Sequence, residues 1–184
     1  MIQNITVYCA SSSRLAPVYR EAANSLGREI AQRGWGVVYG GDSSGLMGAL
    51  AEGAHIAGGQ VIGILPQKFI DLGVRDERCH EVVIARDMRH RKEILESRGD
   101  AFIALPGGIG TLEEFFEILV GRQLGYHCKP IVLLNIAGYY NPLLKMFEHG
   151  IEHCFIRPSS RELFYIADSV QDAIEYLAKS DSQP

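Results

Sequence analysis

The feature that most constrains this chain is a series of short runs, apolar on both faces, separated by stretches of helix length. Residues 5–9, 36–39, 60–65, 101–105 and 130–134 lack the apolar–polar alternation of a strand with one wet face. Strands of that kind are covered on both sides, as in parallel sheets, and parallel neighbours need a crossover between them. Helices are expected at about 16–33, where Gly34 supplies the stop, and at 46–57, 89–98 and 112–124. A further strand is expected at 81–85, closing helices at 142–149 and 170–179, and a short strand at 163–166. The polar stretch 67–80 reads as loop. The pattern predicts one α/β domain over residues 1–184, a Rossmann-like, doubly wound parallel sheet with helices on both faces. At 184 residues such a domain buries roughly 70% of its unfolded surface.

Composition narrows the partners. The chain is 47% hydrophobic and 22% charged, which excludes a disordered chain. Eighteen Lys and Arg stand against 22 Asp and Glu, a net charge of −4, so no global field exists for gripping nucleic acid. Any bound anion must be held by a local cluster. No apolar run approaches the roughly 18 residues of a membrane span, and strand-like residues begin too early for a signal peptide. A cytoplasmic protein without a membrane partner is expected. The four cysteines form no C-x-x-C pair. Three of them adjoin a histidine in sequence, but adjacent side chains point apart, so no metal site is expected.

In doubly wound folds ligands sit beyond the carboxyl ends of the strands. Two glycine-rich loops stand there, each leading into a helix: Gly40-Gly41-Asp42-Ser43-Ser44-Gly45-Leu46-Met47-Gly48 and Pro106-Gly107-Gly108-Ile109-Gly110-Thr111. Glycine lets backbone approach a ligand closely, and the free amides of a first helical turn favour an anion. Ser11-Ser12-Ser13 adds a hydroxyl-rich turn at the same edge. Neither loop is followed by the lysine of a nucleotide-triphosphate loop, and neither fits a dinucleotide fingerprint, so no cofactor is expected. The pairing points to a phosphate-bearing small molecule.

Two further segments admit two accounts each. Thr111-Leu112-Glu113-Glu114 has the spacing of a capping box, in which Thr111 and Glu114 satisfy each other's amides. It also sets a carboxylate one turn, about 5.4 Å, below phosphate-binding amides, near the sugar carbon of a nucleotide. Arg86-Asp87-Met88-Arg89-His90-Arg91-Lys92-Glu93 is either a solvated helix face or a group of cations placed to meet phosphate and carboxylate.

These residues in this order resemble the "Lonely guy" family of cytokinin-activating phosphoribohydrolases, once labelled lysine decarboxylases. The pattern P-G-G-x-G-T-x-x-E is met from Pro106 to Glu114, G-L-M-G from Gly45 to Gly48, and M-x-x-R-K at Met88, Arg91 and Lys92. Gly138-Tyr139-Tyr140 is a further echo. The resemblance implies that Glu114 and Arg91 are the catalytic pair. It implies that Gly107, Gly108, Ile109, Gly110 and Thr111 hold the phosphate. Ser11, Gly40, Gly41, Gly45, Met88 and Lys92 would line the rest of the nucleotide pocket. The implied reaction is hydrolysis of the N-glycosidic bond of an adenosine 5′-monophosphate, N6-modified with an isoprenoid group, to free base and ribose 5-phosphate. A homodimer is implied too; the apolar faces of the helix bearing Phe115, Phe116, Ile118, Leu119 and Leu124 need a second cover, which a partner copy or the C-terminal helices would supply equally well. The chain departs from the family at Asp42, where many members have a third glycine. The alternative function is a non-catalytic nucleotide-binding or cofactor-carrier protein. Lysine decarboxylation would need a Schiff-base lysine, and only Lys92 adjoins the site.

Overall fold

A computed structural model describes residues 1–181. The seven strands are β1 (Asn4–Tyr8), β2 (Gly36–Tyr39), β3 (Val61–Pro66), β4 (Glu81–Ala85), β5 (Ala101–Ala104), β6 (Ile131–Leu134) and β7 (Tyr165–Ala167). They form one sheet in the order β4-β3-β2-β1-β5-β6-β7, and every pairing is parallel. The helices are α1 (Pro17–Gln32), α2 (Gly45–Ile56), α3 (Gln67–Asp71), α4 (Met88–Arg98), α5 (Ile109–Gln123), α6 (Asn141–Glu152) and α7 (Val170–Asp181).

Strand alternation explains why the runs are apolar on both faces. Ile5, Val7, Val37, Tyr39, Ile103 and Val132 point into one core with Leu26, Leu50 and Ile174, from α1, α2 and α7. Tyr8, Val38, Phe102 and Leu133 point into a second core with Leu95, Phe115 and Phe147, from α4, α5 and α6. The five central strands thus bury both faces, the edge strands β4 and β7 leave Ile84 and Ile166 exposed, and the doubly wound expectation holds.

From β1 the chain moves outward to β2, β3 and β4, then crosses back to place β5 on the other side of β1. The strand order reverses there, and loops leaving β1 and β5 part to leave a crevice at their carboxyl ends.

Two expectations need correction. The stretch 67–80 is not all loop: α3 forms directly after Pro66, and Gln67 Nε2 donates to Asp71 Oδ1 at 2.8 Å across its single turn. The helix expected at 112–124 starts three residues earlier, with Gly108 as its N-cap. Thr111 and Glu114 therefore lie inside α5, and they form no capping box.

Candidate active site

A cleft of about 330 Å³ opens at the β1–β5 crevice. That volume lies in the usual range for small-molecule sites, roughly 300–1,000 Å³. Its floor is the end of β1, Val7 to Cys9, continuing into Ser11 and Ser12. The two glycine loops flank this floor because β2 and β5 are the neighbours of β1.

Deep in the cleft lies an ion pair. Arg91 Nη1 donates to Glu114 Oε1 at 3.0 Å, and each side chain is only 12% exposed. Arg91 Nε donates to the carbonyl of Ile64 at 3.0 Å, so the guanidinium plane is fixed from two sides. Its far edge lies against Gly40, where a β-carbon would overlap Nη2. Glycine at 40 is thus needed for the arginine to pass. Burial pushes the Glu114 carboxyl above its ordinary value, and Arg91 pulls part of the way back. Tyr8, also on the cleft wall, is pushed up by burial first and by Glu114 second.

Lys92 faces elsewhere. Its ammonium bridges Glu113 at 2.6 Å and Glu117 at 3.2 Å, and it is not among the cleft-lining residues. The hydrogen bond to Glu113 is the main cause that raises its pKa, so the nitrogen is held as a cation. With the Arg91–Glu114 pair one residue away on each helix, it ties α4 to α5.

The loop after β5 presents donors. Of the described residues, none accepts from the amides of Gly108, Ile109, Gly110 or Thr111. Gly107 supports the buried Thr111, whose side chain a β-carbon at 107 would overlap. The loop after β2 is different. Asp42 Oδ1 accepts from Ser44 N at 2.7 Å and from Ser44 Oγ at 2.6 Å, and Leu46 N donates to Ala10 O at 2.9 Å. Protein acceptors already fill much of the α2 N-terminus.

The structure brings Ser11, Gly40, Met88, Arg91, Gly108, Gly110, Thr111 and Glu114 to one cleft. Gly41 and Gly45 lie behind its wall, against Leu65 and Ser11. Gly107 lines a neighbouring apolar pocket with Tyr19 and Tyr139, and the Ile109 side chain points to solvent. Sequence reasoning did not find the apolar end of the cleft: Met47, Leu65, Phe69 and Val74. Phe69 and Val74 come from the stretch that reads as loop, where no periodicity signals which side chains turn inward.

The sequence profile of a family described as "Possible lysine decarboxylase" matches residues 47–177. The "Probable cytokinin riboside 5'-monophosphate phosphoribohydrolase LOGL2" of Oryza sativa subsp. japonica is 42% identical over 181 residues, 98% of this chain and 74% of the relative. The "Cytokinin riboside 5'-monophosphate phosphoribohydrolase LOG5" of Arabidopsis thaliana is 42% identical over 175 residues, 95% of this chain and 77% of the relative. Among solved structures, the molybdenum cofactor binding protein from Rippkaea orientalis superposes with a TM-score of 0.77 at 27% identity, covering 99% of both chains. The molybdenum cofactor carrier protein of Chlamydomonas reinhardtii superposes at 0.76 and 25% identity, covering 100% of both. By profile, and by relatives alike along nearly its whole length, this chain belongs to the LOG family of cytokinin riboside 5′-monophosphate phosphoribohydrolases, the family long described as possible lysine decarboxylases.

Proposed function

We propose that this protein hydrolyses the N-glycosidic bond of adenosine 5′-monophosphates, including N6-modified ones, to release free base and ribose 5-phosphate. One observation carries the reading: Glu114 is held by Arg91 inside the cleft, one turn of α5 from Gly108, Gly110 and Thr111, which line the same cleft and whose amides have no described acceptor. Met47, Leu65, Phe69, Val74 and Met88 supply the cleft's apolar lining, which supports a pose with the base against them and the phosphate at the N-terminus of α5. The bond between sugar and base then lies near the carboxylate.

Cleavage of that bond builds positive charge on the ribose, as in glycosidases. The base nitrogen leaves with the bonding electrons and takes up a proton, while water adds its oxygen to C1′. The Glu114 carboxylate stabilises the cation and orients the water, and Arg91 holds it ionised and in place. The phosphate, remote from the broken bond, anchors the sugar against the acid. Lysine decarboxylation fits poorly, because Lys92 is kept cationic by two carboxylates rather than free to form an imine.

The reading extends to a homodimer. Phe116 of α5 is partly covered by stacking on Phe147 of α6 at 5.9 Å, yet Ile109, Val120, Leu124 and Tyr126 remain exposed along and beyond the same helix. A second copy covering them would be seen by sedimentation as a doubled mass. Four unpaired cysteines suit the reducing cytoplasm, where we place the protein.

The test is product chromatography after incubation with AMP, isopentenyl-AMP, GMP and CMP. Free adenine-type base with equimolar ribose 5-phosphate is expected from the first two. Tight AMP binding without base release, even with excess protein, would overturn the reading in favour of a carrier, a role carried by neighbours of the same fold.

A further inference from the structure

The phosphate-facing loop does not orient itself. Its three leading carbonyls are each taken by a donor from outside the loop. Tyr140 Oη donates to Leu105 O at 2.6 Å, Ala10 N to Pro106 O at 3.3 Å, and Tyr139 Oη to Gly107 O at 2.6 Å. The next carbonyl, Gly108 O, accepts from Leu112 N at 3.0 Å within α5. A peptide plane carries its N–H opposite its C=O, so a carbonyl pinned outward turns the following amide inward. The engaged carbonyls of Pro106, Gly107 and Gly108 thus fix the peptide planes that carry the amides of Gly107, Gly108 and Ile109, whereas the Leu105 carbonyl precedes a proline and steers no amide.

The two tyrosines come from the turn after β6 and are themselves fixed. Asn135 Oδ1 accepts from Tyr140 N at 2.7 Å, and Asn135 Nδ2 donates to Asn141 Oδ1 at 2.9 Å. Tyr140 is buried, with its ring 5.0 Å from that of Tyr139, which in turn meets Tyr19 edge-on at 6.0 Å. Neither tyrosine lines the cleft holding Glu114. They touch the backbone that touches the ligand.

We propose that Tyr139 is a positioning residue for the substrate phosphate: by holding the carbonyl of Gly107 it pre-aims the Gly108 amide of the same peptide plane, while Tyr140 anchors the strand end before the loop. The inference rests on the nucleotide reading of the cleft. Without the Tyr139 hydroxyl, the Gly107 peptide is free to rotate, and a carbonyl turned toward the cleft opposes an anion. The effect belongs to phosphate binding and leaves Glu114 untouched, which separates it from general damage to the fold.

The decisive variant is Tyr139→Phe, which keeps both ring contacts at a half-exposed position. With AMP, KM should rise on the order of tenfold while kcat stays within about twofold. With adenosine, which lacks the phosphate, kcat/KM should be unchanged, so the preference for AMP over adenosine shrinks by about the same factor. Ribose 5-phosphate should inhibit the variant correspondingly less. Tyr140→Phe strands a buried carbonyl that precedes a proline, so it should lower Tm and leave the preference for AMP over adenosine within about twofold. An unchanged AMP preference in Tyr139→Phe, or an equal loss on adenosine, overturns the proposal. If the wild type releases no base, calorimetric binding of AMP and adenosine gives the same ratio. A tenfold loss confined to AMP then supports the positioning role while the hydrolase reading fails, and a wild type that binds no AMP overturns both.

Discussion

The loops after β2 and β5 have similar composition, both lead into helices, and both flank the end of β1, yet they offer a ligand opposite things. After β5 the carbonyls are engaged by donors from other loops, the amides of Gly108 to Thr111 have no described acceptor, and Gly108, Gly110 and Thr111 line the cleft. After β2 the Asp42 carboxylate takes the amide and hydroxyl of Ser44, and Ala10 takes the amide of Leu46. One helix N-terminus is open to an anion, and the other already holds one built into the chain. A glycine-rich loop is therefore permission for backbone to approach a ligand. Whether it binds phosphate depends on what its donors already hold.

The largest test of this contrast removes the chemistry at the open loop alone. Glu114→Gln should lower kcat on the order of 10³-fold while AMP still binds, measured by steady-state kinetics and calorimetry. Loss of binding instead would mean that Glu114 holds the site together rather than acting on the sugar.

The next test is in pH. Glu114 works as a carboxylate, and burial raises its pKa above the ordinary value of 4.5 despite Arg91. Activity should therefore fall, as pH is lowered, earlier than for an ordinary glutamate. Arg91→Ala removes a lowering influence, so the acid limb of kcat/KM should move to higher pH. Stability carries the opposite sign. The unfolded glutamate ionises at lower pH than the folded one, so this group stabilises the fold below that window and loses its contribution as pH rises through it.

Smaller effects separate the glycines within the open loop. Gly107→Ala drives a β-carbon into Thr111 and should cost about 1–3 kcal/mol in urea unfolding, with weaker AMP binding. Gly108→Ala meets nothing within 4 Å and should leave stability within about 0.5 kcal/mol. Equal losses in the two variants would remove the steric reason for glycine at 107.

A change in selectivity rather than in stability is expected at the filled loop. Asp42→Asn keeps an acceptor for Ser44 and deletes the charge. Adenosine 3′,5′-bisphosphate should gain on AMP by about tenfold in binding, near 1.4 kcal/mol, since the second helix terminus then tolerates another anion. An unchanged ratio would show that Asp42 only shapes the turn.

Much of this was legible in the residues. Runs apolar on both faces can only be strands covered twice, and glycines beyond their carboxyl ends mark where backbone meets a ligand. Glu114 and Arg91 were recognised by motif and do meet, although one of the two local accounts of Thr111-x-x-Glu114 was wrong. The box requires a helix beginning at 112, and in the fold Gly108 caps it. Lys92 shows the same limit. The family resemblance implied a place in the nucleotide pocket, but successive helical residues lie about 100° apart, and the neighbouring carboxylates of α5 capture it.

By itself the sequence determined the layered parallel sheet, its double covering and the edge where the chemistry sits. Those follow from burial patterns and glycine backbone freedom, which are properties of a residue and its near neighbours. Only the tertiary structure decided which of two similar loops keeps its amides open. Hydrogen bonds of Asp42, Ala10 and Tyr139 mark that difference, and two of those residues reach the loop they touch from another strand's end. A bond between elements has no periodicity to leave in the chain, so it is read only once the strands are side by side.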